Sequence, residues 1–411
     1  MTEISAYNEA LQSGQYEKPT GLLGKYDNVR RFWEDEEVGL YLRPYLKDRV
    51  TRTKEEGQGI RVLDIGCGSG DGLEVISTAV DAGSSGSGHS TETTQPAAAL
   101  EFYKGIDINE QLLKQAQTIF SSKQNMHFVQ SDINEFHFDT EEPYDLYLAN
   151  YGTLSHNTDG NTVELLAKIA RHGKNGAIVL IDWLGRYAYE WQTLWSHDLD
   201  HEQWMDYVIS YIYSADEAKE KEQELTAFPL RIMGHAEIMT IYQKAKEISG
   251  GSITLRKLAD RSSFVGRHQD TAQYNPHCKP LRSVINRLLE PNVCTDLNDL
   301  LINYVPKDGF DEVNAYHQKI VDSWNYLVCH TKSLLEGGAP PTTPIEIPPA
   351  LRTSIDVMDE LIGAASKTTI GNPRACLVEP QLAYCLRELE MGIQQGLGCG
   401  HGLIAIFEVV K

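Results

Sequence analysis

The segment Val62-Leu-Asp-Ile-Gly-Cys-Gly-Ser-Gly70 most restricts what this chain can fold into, because a short apolar run ends abruptly in glycines at 66, 68 and 70. Arg61 to Ile65 reads as a buried strand, and glycines directly after a strand let the backbone pass close under a ligand with no Cβ in the way. The dinucleotide fingerprint G-x-G-x-x-G requires glycine at 71 or 73, where the chain has Asp71 and Leu73. No G-x-x-x-x-G-K-[ST] loop is present, so nucleoside triphosphate chemistry has no support either.

Short apolar runs alternate with helical patterns after this point. Phe102 to Ile108, Met126 to Gln130, Tyr144 to Ala149 and Ala177 to Ile181 are strand candidates, rich in branched and aromatic side chains. Glu110 to Phe120 and Val163 to Arg171 carry apolar residues at helical spacing between them. This alternation predicts an α/β fold with a doubly wound, mainly parallel sheet. Residues 81–97, DAGSSGSGHSTETTQPA, have almost nothing to bury and predict a mobile loop inserted into the first crossover. Beyond Asp182 the patterns of Tyr187 to Leu335 and Leu351 to Gln395 are mostly helical, with Gly337 to Pro349 as a stiff proline-rich connector. Two late strand candidates remain: Ile253 to Arg267, read as a hairpin turning near Asp260, and Gly402 to Val410.

Composition bounds the partners. Of 411 residues, 37 are Lys or Arg and 58 are Asp or Glu, a net charge of −21 that repels polyanions and argues against nucleic acid and acidic membranes. No apolar run reaches the roughly 18 to 20 residues of a bilayer span, and the first residues lack a secretory pattern, so a cytoplasmic protein is expected. Seven scattered cysteines with no C-x-x-C pair predict reduced thiols and no metal site.

The glycine segment resembles motif I of the class I S-adenosylmethionine-dependent methyltransferases, a strand followed by (D/E)-x-G-x-G-x-G, and the likeness runs over roughly residues 60 to 182. It implies a seven-stranded Rossmann-like sheet with S-adenosylmethionine as cofactor. By resemblance, Asp64 works with Gly66, Cys67, Gly68 and Gly70 to hold the methionine portion. Lys104-Gly-Ile-Asp-Ile108 supplies the acidic strand end for the ribose hydroxyls, Asp107 beside Ile108. The gap from Gly70 to Asp107 is 37 residues against about 20 expected, and the 17-residue insertion 81–97 accounts for the excess. In Phe128-Val-Gln-Ser-Asp-Ile133, Asp132 meets the adenine amino group and Ile133 packs on the ring. Tyr144 to His156 matches the fourth strand and its loop, which brings Asn150 to the cofactor. Residues 1–59 then read as an N-terminal helical flap, 60–182 as the cofactor-binding core, 183–401 as a mostly helical substrate cap with strand candidates at 253–267, and 402–410 as a strand returning to the sheet.

The acceptor is less legible. The fourth-strand loop has no (D/N)-P-P-(Y/F), the signature resembling adenine, cytosine and glutamine methyltransferases, and with the acidic charge this favours a small soluble metabolite. A protein methyltransferase and a non-catalytic cofactor-binding scaffold retain the same glycine loop and stand as alternatives, and a homo-oligomer is compatible with each. His156 follows the fourth strand, where an imidazole is suited to act as base, though a capping histidine explains it too. Tyr26 is a candidate to lie near the sulfonium, and Arg30 or Arg31 to pair with the methionine carboxylate. Arg261 and Arg267 bracket a stretch that is able to take a substrate anion. The aromatic stretch Tyr187 to Tyr213 suits either a pocket wall or helix packing.

Overall fold

The computed structural model describes residues 3–16, 22–81, 100–342, 347–368 and 371–411. The insertion expected at 81–97 lies outside the described residues after Asp81, as does the part 343–346 of the connector.

Helix α1 (Glu3–Gln12) comes first, and a π-helical turn, Arg30–Glu34, leads into α2 (Asp35–Glu55). Then β1 (Ile60–Ile65), α3 (Gly72–Asp81), β2 (Leu100–Asp107), α4 (Glu110–Ile119), β3 (Met126–Gln130), β4 (Leu146–Ala149), α5 (Asp159–His172) and β5 (Ile178–Gly185) alternate. Local chemistry sets these boundaries. The Asn109 side chain accepts the backbone N–H groups of Gln111 and Leu112 at the start of α4, and Thr158 accepts that of Asn161 at the start of α5. All eight residues of β5 are buried, as a strand covered on both faces must be.

After β5 come β6 (Trp204–Val208), α6 (Ala215–Glu220), β7 (Ala227–Met233), α7 (His235–Ile248) and β8 (Ile253–Arg261). The helices α8 (Leu281–Leu288), α9 (Asp311–Leu335), α10 (Pro349–Ala365) and α11 (Glu379–Ile393) follow, and β9 (Gly402–Val409) is last. β3, β2, β1, β4 and β5 pair in parallel in that spatial order. β9 lies antiparallel to β5 and β8 lies antiparallel to β9, so seven strands of a nine-stranded sheet form a mainly parallel array in which only β9 is reversed. β7 joins the C-terminal end of β5 through Leu184 and Gly185 and forms an antiparallel ribbon with β6.

Two readings are corrected here. Ile253 to Arg267 is no hairpin: β8 runs unbroken through Asp260, whose buried carboxylate accepts the backbone N–H groups of Leu397, Gly398 and Cys399. Asp260 therefore anchors the approach to β9 instead of turning the chain. The region after Asp182 is also less helical than its pattern, because β6 and β7 occupy part of it.

Four apolar clusters form among the described residues. One fills the sheet face under α5 and α7, a second the face under α2 and α3. A third unites α8 to α11 around Trp33 and Trp324, and a fourth joins α1 to the β6–β7 ribbon. Helix α2 is fixed to the sheet by charge: the fully buried Asp145 binds the Arg49 guanidinium, accepts from Lys174 Nζ at 2.8 Å and from the Arg61 backbone N–H at 2.8 Å. Those extra hydrogen bonds are what make a buried carboxylate tolerable.

Candidate active site

A cavity of about 300 Å³ opens where the parallel strands end, the place where sheets of this topology bind ligands. Its floor is the loop after β1. Gly66, Gly68 and Gly70 have φ of +64°, +53° and +90°, backbone that favours glycine. A Cβ on Gly66 would lie 2.4 Å from Thr153 and one on Gly70 2.5 Å from Phe120, whereas at Gly68 nothing is nearer than Lys25 Nζ at 3.7 Å. Gly68 thus faces open space and forms a cradle that a side chain would obstruct.

Strand ends deliver the acidic groups. The Gly68 N–H donates to Asp107 Oδ2 at 2.9 Å and the Asn109 N–H to Oδ1 at 2.8 Å, and burial holds this carboxyl above the usual range. Asp64 is buried among apolar strand residues, accepts the Tyr103 hydroxyl at 2.5 Å, and is pushed up to about 7 chiefly by its burial. Asp132 is exposed and Ile133 half-buried, both on the cavity wall. After β4, Tyr151 adopts φ +56°, an unusual conformation for a side chain of its size. Asp182 Oδ2 holds it there, accepting the Tyr151 N–H at 3.2 Å. The adjacent Asn150 lines the cavity, and its buried Nδ2 has no hydrogen-bond partner among the described residues. An orphaned buried donor beside a glycine cradle fits a polar ligand that supplies the missing acceptor.

The cavity brings together Asp64, Gly66, Cys67, Gly68, Asp107, Ile108, Asp132, Ile133, Asn150 and His156. Gly70 is not on its wall, since it packs against Phe120. Tyr26 is not either: it is buried with its hydroxyl donating to Asp71, so it braces the loop from outside. Cys67 packs its thiol toward Gly105, and burial raises that thiol well above its ordinary value. Arg30 reaches the cavity, with its guanidinium 3.3 Å above the Tyr151 ring and 2.8 Å from Asp35, whereas Arg31 is exposed. Arg261 and Arg267 both line the cavity, but each is already paired, with Asp182 at 2.8 Å and Glu34 at 2.7 Å. His197, Asp198, Asp200 and His201 stand apart from the cavity, with the Asp198 and His201 side chains 3.0 Å apart in solvent.

Several lining residues escaped the sequence reading: Glu3, Ile4 and Tyr7 of α1, together with Tyr16, Lys25 and His401. Tyr207 and Tyr211, from the aromatic stretch Tyr187 to Tyr213, line the cavity as well. His156 Nδ1 lies 3.0 Å from Glu3 Oε2, its Nε2 3.4 Å from the Tyr7 hydroxyl, and its ring stacks on Phe228. The imidazole holds the Glu3 carboxyl below its usual value. Lys25 Nζ is 2.6 Å from Asp71 and 4.4 Å from the Tyr16 ring centroid. Amphipathic spacing marks α1 as a helix, but nothing in its residues tells which surface it covers.

A glycine cradle at β1, an acidic group at the end of β2 and one reversed strand in the sheet define a class I methyltransferase core. A family model described as a methyltransferase domain matches residues 56–245. The matched segment is a methyltransferase domain on a Rossmann-like sheet, and its cofactor is S-adenosylmethionine. A methyltransferase from Clostridium acetobutylicum is similar at 12% identity and a TM-score of 0.36, over 62% of this chain and 90% of that one. The glycopeptide N-methyltransferase MtfA complexed with S-adenosylmethionine is similar at 13% identity and a TM-score of 0.33, over 52% and 80%. A complex of the Haloferax volcanii Trm112 activator with a methyltransferase is similar at 15% identity and a TM-score of 0.31, over 53% and 74%. Likenesses this distant say nothing of the acceptor here. No curated protein sequence matches. Among the described residues no helix is long and apolar enough to cross a membrane.

Proposed function

We propose that this chain transfers a methyl group from S-adenosylmethionine to a small soluble metabolite. The observation that supports this reading is the aromatic lining of the cavity. The buried Tyr16 and Tyr207 line it with Tyr211 and the buried Lys25, a lining of the kind that surrounds small organic ligands and favours a metabolite over a peptide. Asp107 is disposed to take the ribose hydroxyls, Asp132 and Ile133 the adenine, and Asp64 the methionine ammonium. Asn150 Nδ2 is an available donor for the methionine end. Arg30 offers its guanidinium to the methionine carboxylate.

When bound, the cofactor supplies an already activated methyl group. The protein then has to exclude water, align the acceptor and accept a proton if the acceptor carries one. His156 is engaged at both ring nitrogens by Glu3 and Tyr7, and in this reading it fixes α1 over the cofactor.

Calorimetric titration with S-adenosylhomocysteine tests the cofactor half. Asp107→Ala should weaken binding about 5- to 150-fold, the worth of a charged hydrogen-bonding group of about 1 to 3 kcal/mol. Unchanged affinity would remove Asp107 from the site. Incubating methyl-labelled cofactor with fractionated cell extract tests the acceptor half. Label in small molecules is expected, while label in protein only, or nowhere, would replace the reading with a protein methyltransferase or a cofactor-binding scaffold.

A further inference from the structure

The lining of the cavity holds a second imidazole, on which the reading above makes no demand. His401 lines the cavity immediately before β9 and is 5% exposed. Its Nδ1 lies 2.5 Å from Glu190 Oε1, and Glu190 is itself 1% exposed. The other oxygen of Glu190 accepts the His268 backbone N–H at 2.7 Å. Room for this carboxylate exists because residue 266 is glycine: a Cβ there would sit 2.2 Å from Glu190 Oε1. Trp191 packs its ring 5.4 Å from the imidazole.

A buried carboxylate at 2.5 Å sets the tautomer. Nδ1 carries the proton and donates to Glu190, so the lone pair of the neutral ring is on Nε2. The Arg267 backbone N–H approaches Nδ1 only at 3.4 Å. Nε2 has no hydrogen-bond partner among the described residues and is absent from the buried unpaired atoms, so it is accessible from the cavity. The charged and titratable neighbours leave this arrangement intact. Arg267 turns its guanidinium to Glu34, and Arg261 is held by Asp182 and Glu34. His268 is fully buried, which drives its pKa well below the ordinary value and keeps it neutral. Tyr207 packs edge-on against that ring, while Tyr211 lies under the Arg267 guanidinium at 5.1 Å.

Resting on the methyltransferase reading, we propose that His401, oriented by Glu190, is the base for an acceptor of the phenol class, an aryl hydroxyl seated among Tyr16, Tyr207 and Tyr211. A paired carboxylate and imidazole suits an acceptor that has to lose a proton as it attacks, as a phenolic hydroxyl does near neutral pH, and flat aromatic walls suit an aryl group. The acceptor O–H proton passes to His401 Nε2 as the oxygen lone pair forms the O–C bond to the methyl. The methyl–sulfur bond breaks with its electron pair going to sulfur, leaving S-adenosylhomocysteine. The imidazolium is stabilised by the Glu190 carboxylate and returns its proton to solvent. Glu190 is a positioning residue in this scheme, acting only through His401.

4-Nitrophenol, whose colour reports its ionisation, tests this without any knowledge of the natural acceptor. It is titrated against the protein saturated with S-adenosylhomocysteine, in the wild type, His401→Gln and Glu190→Gln, with S-adenosylhomocysteine affinity measured in each. In the wild type the bound phenol should ionise at a pH lower by at least about one unit than in either variant, the equivalent of a tenfold change in the ionisation equilibrium. Cofactor-product affinity within a few-fold in all three would show that the variants fold. An equal midpoint in the wild type and His401→Gln, or no binding of the phenol at millimolar concentration, would overturn the proposal. So would loss of the shift in His156→Ala with retention in His401→Gln, which would give the base to His156. Failure of the wild type to bind S-adenosylhomocysteine would instead overturn the methyltransferase reading, and the two failures are therefore distinct.

Discussion

Glu34→Gln is expected to lower the free energy of unfolding by about 3 to 5 kcal/mol, the cost of removing one partner from a buried ionic cluster. Glu34 ends the π-helical turn before α2 and is wholly buried. Its Oε1 meets Arg282 at 2.8 Å and Arg261 at 3.5 Å, and its Oε2 meets Arg267 at 2.7 Å. Arg282 keeps Asp27 and Arg261 keeps Asp182 after the substitution, but Arg267 loses its only ion pair among the described residues and retains the Lys25 carbonyl at 3.0 Å. Glutamine preserves the shape, so the loss isolates charge from packing. Three guanidiniums outweigh the desolvation of Glu34 and hold its carboxyl well below the ordinary value. A depressed folded pKa means that this stabilisation is present above the unfolded value of about 4.3 and fades as the pH falls through the folded one. Denaturant unfolding at pH 7 and over a series of pH values descending below the unfolded value measures both effects. A loss under about 1 kcal/mol at pH 7 would show that the arginines find other partners.

The same cluster explains why part of the site is legible in the sequence and part is not. Asp64, Asp107, Asp132 and Asn150 are found because each lies at or just beyond the end of a parallel strand, and strand ends can be read from apolar runs once the insertion at 81–97 is subtracted. Glu34, Arg267 and Arg282 meet across more than 230 residues of chain, and no local pattern encodes that meeting. The Glu190 and His401 pair is separated by 211 residues. β7 was hidden for a different reason. Pro229 interrupts its strand signature, and it is accommodated because that residue pairs only with Asp206 of β6, on the ribbon beyond the main sheet. Asp260 misled in the opposite direction: an acidic residue amid a strand reads as a turn until its three backbone donors are seen.

S-adenosylhomocysteine is expected to bind about 100-fold more weakly at pH 5 than at a pH well above 7, because the apparent affinity scales with the fraction of protein whose Asp64 is ionised. Asp64 lines the cavity and is fully enclosed by the sheet, where burial and the charges of Asp71 and Asp107 push its carboxyl up to about 7. The free protein therefore carries Asp64 largely protonated below that pH, with the Tyr103 hydroxyl beside it at 2.5 Å. In the proposed site the ligand ammonium requires the carboxylate. Binding then expels a proton, and affinity rises about tenfold per pH unit up to about 7 before levelling off. Asp107, also raised by burial, acts in the same direction and steepens the acid end. Calorimetry at pH 6 in two buffers of different ionisation enthalpy reads the released proton directly. Asp64→Asn should bind more weakly at pH 8 yet show a flatter pH dependence, since its amide cannot ionise. An affinity that stays constant from pH 5 to 8 in the wild type would mean that Asp64 keeps its proton in the complex and supports the glycine loop without touching the ligand's charge.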